Sequence, residues 1–243
     1  MGALRALAVA DLRSVNRDTL TKFMLIYPWF LGLVVRWLVP VVTEGLAVLY
    51  DIRPHYLLIA GLFGFLMGPV LIGATIGFLV LDERDARTLA ALQVTPLSMN
   101  RYLAYRLAGP LFLSLLAVYV SVPLMGLVEM APWQLTLPAV MAALTAPLFT
   151  LLEASFAHNK VQGLAVMKAT GVFLVAPAAA WFTPEPWQWL FGLLPTYWPV
   201  KVFWVLAAGE PVGLPLLLGF GVYLVYLALL LRRFNRVIYQ AQG

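Results

Sequence analysis

The chain has 243 residues, of which 63% are hydrophobic and 11% charged, with a mean hydropathy of +0.90 and a formal net charge of +5. Soluble domains hold about 45–50% apolar and about 25% charged residues, and a globule of this size has too much surface to hide such an excess. These figures exclude an ordinary soluble enzyme and a disordered chain and argue against a nucleic-acid binder, and the absence of cysteine excludes disulfides, thiolate zinc sites and thiol catalysis. What remains is an all-α polytopic membrane protein.

Residues 1–22 lack the continuous apolar core and small-residue cleavage site of a signal peptide. Leu4, Leu7, Ala8, Leu12 and Val15 share one helical face, and Arg5, Arg13, Asn16 and Arg17 lie across from them. That pattern predicts a helix lying in the membrane interface.

A helix needs about 20 mostly apolar residues to cross roughly 30 Å of hydrocarbon. Stretches free of charge, or nearly so, predict six spans near residues 23–42, 56–81, 102–127, 135–154, 161–182 and 212–231. The first contains Arg36 and the fifth Lys168. Arg36 is expected to snorkel outward toward Glu44 or to face a cavity, and Lys168 to snorkel inward or to meet Glu153. In the second span Gly64, Gly68, Gly73 and Gly77 form two small-xxx-small steps. Such steps let helices approach closely, either within the chain or at a seam with a partner. Prolines at 28, 40, 69, 110, 123, 147 and 177 interrupt the apolar stretches, and each removes a backbone donor.

The loops fix the expected orientation. With the N-terminus inside, the inner segments carry Arg5, Arg13, Arg17, Lys22, Arg84, Arg87, Arg101, Lys160, Arg232, Arg233 and Arg236, whereas the outer loops carry only Arg53 and Lys201. The positive-inside rule then places both termini in the cytoplasm, and the basic excess meets anionic lipid. Residues 183–211 are too apolar for a simple loop, and five of the eight tryptophans fall between 181 and 204. Helices near 187–194 and 200–208, broken at Pro195 and Pro199, predict a re-entrant or interfacial hairpin on the outer side before the last span.

No catalytic pattern is visible. His55 and His158 fall on opposite sides of the membrane, and there is no H-E-x-x-H, no G-x-S-x-G and no P-loop. The densest charge cluster is Asp82, Glu83, Arg84, Asp85 and Arg87, between spans two and three. An apolar ridge follows it at Leu89–Leu92, and Thr95–Pro96 reads as the start of the next helix. A short charged and apolar helix of this kind suits docking into a groove on a soluble partner.

This segment resembles the signature of ABC-2 type transporter permeases. The resemblance rests on Glu83-Arg84-Asp85, Thr88-Leu89, Leu92 and Thr95-Pro96-Leu97-Ser98, and departs at Arg87, where the family often has glycine. The topology of the whole chain is similar too. His158–Gly163 and Leu194–Trp198 look like segments of permeases labelled as fluoroquinolone exporters.

The resemblance implies a single transmembrane domain over 1–243 in the plasma membrane of a prokaryote. Two permease chains, identical or related, would carry separate P-loop ATPases, which hold the ATP and magnesium; this chain would hold no cofactor. Asp82, Glu83, Arg84, Asp85, Thr88, Leu89 and Leu92 would form the coupling helix. The substrate route would lie between the chains, with Arg36, Phe63, Phe65 and Met67 as candidate lining for an apolar or amphipathic cargo. An ion-driven secondary transporter or a membrane biogenesis protein is the alternative; the first would need intramembrane carboxylates, and the sequence offers few.

Overall fold

A computed structural model describes residues 15–86 and 99–240, together with residues 8, 9, 11 and 13. The described residues are almost all helical and include no strand. Among the described residues, six helical segments are long and apolar enough to cross a membrane: Lys22–Leu46, Arg53–Asp85, Arg101–Met125, Thr136–Phe156, Lys160–Trp181 and Gly213–Val237. They are called spans 1 to 6 below, and each overlaps one of the six apolar stretches.

Spans 2 and 4 form the centre, with 67% and 83% of their most apolar windows buried, against 22–33% for the other four. Their mutual contact is the most extensive between helices among the described residues. Gly73 makes it possible, because a Cβ there would run into the backbone of Ala146. Thr150 strengthens the crossing by donating its hydroxyl to the Gly73 carbonyl at 2.9 Å. The other small-residue steps also face this chain: Gly64 meets Val122, Gly68 meets Ala117 and Pro28, and Gly77 meets Glu153. These four glycines therefore pack inside the chain, against spans 1, 3 and 4.

The prolines act where a freed carbonyl would be expected. Pro69 cannot donate to the carbonyl four residues back. Just before it, Ala60–Leu66 winds as a π-helix, and the Met67 amide bonds Leu62. Span 4 breaks between Thr136–Ala143 and Thr145–Phe156, where Pro147 leaves Ala143 without its helical donor. Span 5 breaks between Lys160–Ala169 and Val172–Trp181. Within the second of these helices Pro177 frees the Phe173 carbonyl, and the Thr196 hydroxyl donates to it from the following hairpin. A neighbour thus supplies the donor that proline lacks.

That hairpin is a 3-10 helix at Trp187–Leu193 and an α-helix at Tyr197–Ala207. At the N-terminus the described residues before Asp18 are helical, and the first span's helix, Thr19–Leu46, begins after it.

Candidate coupling site at the charged end of the bundle

Span 2 ends at the acidic–basic cluster, and the chain returns in the helix Met99–Met125. Thr88, Leu89 and Leu92, with Arg87 and the Thr95–Pro96 step, lie outside the described residues. The stem on either side of them is described, and it is held by a buried charge network.

Arg106 stands at its centre, on the first turns of span 3, with only 3% of its side chain exposed. Its two terminal nitrogens donate to both carboxylate oxygens of Asp11, at 2.7 and 2.9 Å. One of them also donates to Glu83. Tyr102 donates its hydroxyl to Glu83, and Tyr105 donates to Asp11 at 2.8 Å. Tyr102 and Tyr105 precede Arg106 by four and one residues, and the guanidinium lies 5.5 Å from each ring centroid. A flat, permanently charged fork suits this task; a lysine could not bridge two carboxylates in the same geometry. One cation thus ties together the N-terminal helix, the end of span 2 and the start of span 3.

The remaining charges each hold a different neighbour. Arg84 donates to the carbonyls of Ala154 and Ala157, at 2.8 and 2.9 Å. These are among the last carbonyls of the helix in span 4, which have no intrahelical partner, so a cation there also complements the helix dipole. Arg233 of span 6 lies over the Phe156 ring at 3.9 Å. Asp82 pairs with Lys160 at 2.8 Å across the gap to span 5, but both side chains are more than 40% exposed, which makes the pair weak. Span 5 starts on an Asn159 cap that accepts from the Gln162 amide, while the Gln162 side chain accepts from the His158 amide.

Of the cluster expected to meet a partner, Glu83 and Arg84 are therefore turned inward, and Asp82 is shared with span 5. Reading the sequence missed the roles of Asp11, Tyr102, Tyr105 and Arg106. The available signal was the Tyr-x-x-Tyr-Arg pattern, which puts three side chains on adjoining positions of one helical face.

The candidate pathway residues are dispersed. Phe65 is fully buried, with its ring 4.6 Å from Phe203, so it is core and not lining. Phe63 and Met67 are part-exposed on span 2. Arg36 is exposed and donates to the Leu124 carbonyl at 3.2 Å, capping the end of span 3 beside Gly126. It forms no ion pair with Glu44. Lys168 is exposed and does not reach Glu153, whose two carboxylate oxygens are buried with no hydrogen-bond partner.

The sequence comparisons decide the family. Residues 11–231 match the model of the family described as "Fluoroquinolones export permease protein Rv2686c-like". The chain belongs to that family. Two relatives from Mycobacterium tuberculosis, fluoroquinolones export permease proteins of strains CDC 1551 / Oshkosh and ATCC 25618 / H37Rv, are each 36% identical over 240 residues. Those alignments cover 96% of this chain and 94% of each relative. No solved structure matches. The family match begins at Asp11, so it spans the whole Asp11–Glu83–Arg106 network. This member of the Rv2686c-like family is a multi-pass membrane protein of the permease kind, a transporter component.

Proposed function

We propose that the chain is the transmembrane subunit of an ABC exporter. Two permease chains form the pathway, and separate P-loop ATPases, holding ATP and magnesium, dock at the cytoplasmic face on the segment from Asp85 to Leu92, beyond the inward-turned Glu83 and Arg84. Both chain termini lie on that face. The cargo is an amphipathic aromatic small molecule of the fluoroquinolone type, as the names of the relatives suggest.

The observation that carries this reading is the lashed stem. A partner that pushes on the loop between spans 2 and 3 would act on a short stem whose sides are joined by Glu83 to Tyr102 and Arg106. Asp11 adds the N-terminal helix to the same joint. The push would move these three elements as one body, and Arg84 would carry it into span 4. A loop serving topology alone needs no such frame.

The test is co-expression with a P-loop ATPase encoded beside the gene. Leu89→Asp with Leu92→Asp should abolish co-purification and permease-stimulated ATP hydrolysis while leaving the thermal unfolding of the permease unchanged. Wild-type co-purification by the double variant would sink the docking assignment.

A second reading, a proton-driven transporter, rests on Glu153, a buried carboxyl without a partner. It requires Glu153→Gln to stop transport that ATP hydrolysis does not energise. ATP-dependent transport retained by Glu153→Gln would dismiss it.

A further inference from the structure

The tryptophan end of the bundle holds a half-open cavity of about 250 Å³ between the hairpin and the end of span 5. Trp181, Gln188, Lys201, Trp204 and Glu210 are among the residues that line it. The two indoles meet edge to face, with ring centroids 4.8 Å apart. Their N–H groups are already engaged: Trp181 donates to His55 Nδ1 at 2.9 Å and Trp204 to the Leu57 carbonyl at 3.2 Å. The aromatic walls are therefore fixed in place before anything binds, which lowers the entropy cost of binding.

Charge is accounted for residue by residue. Lys201 is held by Glu185 at 2.5 Å and by Gln188 at 3.0 Å. The bonds from Lys201 and from the Trp189 indole keep the Glu185 carboxyl below its ordinary range, so it is ionised at neutral pH. That pair is neutral overall. Glu210 is then left over, with no ion-pair partner among the described residues. Its position is built by the end of the hairpin helix. Gly209 takes a φ of +72°, and the amides of Gly209 and Glu210 bond the carbonyls of Leu206 and Val205 at 3.0 and 2.9 Å. This is a Schellman turn, and it sets Glu210 among the residues that line the cavity.

Two preset indoles beside one uncompensated carboxylate favour an aromatic body that carries a positive charge. We infer that this cavity is a binding site for an aromatic ring system bearing a protonated amine, with Glu210 reading the amine and Trp181 and Trp204 holding the rings. The inference rests on the cargo class proposed above and adds where such a molecule binds and which of its groups is recognised. With the topology proposed above, the site lies on the outer side, where exported cargo would leave.

The test uses the full chain in lipid nanodiscs and equilibrium dialysis with two probes. Norfloxacin carries a basic amine on a quinolone ring; nalidixic acid has a comparable bicyclic carboxylic acid and no such amine. Glu210→Gln should weaken norfloxacin binding about fivefold to tenfold, the size of one lost charged contact, and leave nalidixic acid unchanged. Glu210→Lys should reverse the preference, which a fault in folding would not do. Trp181→Leu should weaken both probes. Equal norfloxacin binding by wild type and by both Glu210 variants would overturn the inference. So would a wild-type chain that binds no norfloxacin. If that chain still stimulates its ATPase, only the pocket and not the exporter reading has failed.

Discussion

Arg106 is the side chain whose loss should cost most. Asp11 and Glu83 would remain at the charged end with their shared cation gone, and breaking a buried ion network in this way costs about 3–5 kcal/mol. Thermal unfolding in detergent should therefore fall markedly for Arg106→Ala, and Arg106→Lys should recover only part, since an ammonium cannot hold Asp11 bidentately. An unchanged midpoint for Arg106→Ala would show that the network is not structural. This joint was poorly legible in the sequence because its members are distant: Asp11 and Arg106 are 95 residues apart. An arginine inside an apolar stretch announces that a partner exists without saying which. The opposite happened at Phe65, where an aromatic on a glycine-rich helix looked like pathway lining, while its burial against Phe203 is settled only by the tertiary packing.

At the scale of single helices, the glycines and prolines make separable claims. Gly73→Ala would force a methyl into the Ala146 backbone, and overpacking of this kind costs about 1–3 kcal/mol. Gly109→Ala, with nothing within 4 Å of the added carbon, should leave the unfolding midpoint within error. If both variants behave alike, the close crossing of spans 2 and 4 is not a source of stability. Thr196→Val would remove the hydroxyl that serves the part-buried Phe173 carbonyl beside Pro177, and losing such a hydrogen bond costs about 1 kcal/mol. Proteolysis within the hairpin should quicken in that variant. Existence and order of the spans were legible because a charge-free stretch of about 20 residues has few alternatives in water or lipid. The breaks at Leu144 and at Thr170–Gly171 were legible only as prolines nearby. Which carbonyl each proline frees, and which neighbour serves it, depends on helices distant in the chain.

Across the whole molecule, the two ends divide the work. The charged end ties the N-terminal helix, span 2 and span 3 around one arginine, and Arg84 adds span 4. At the tryptophan end the hairpin packs on span 5 and shapes the cavity beside Glu210. Force received at one end would reach the other through spans 2 and 4, the most tightly buried pair. The most direct measurement is ATP hydrolysis by the proposed partner ATPase, reconstituted with wild-type permease, with Leu89→Asp/Leu92→Asp, and with Glu83→Gln. The double variant should give no stimulation and no complex. Glu83→Gln, which loosens the stem and leaves the docking ridge intact, should keep the complex and lose most of the stimulation. Full stimulation by both variants would contradict the claim that the loop between spans 2 and 3 receives the force and that its lashed stem transmits it.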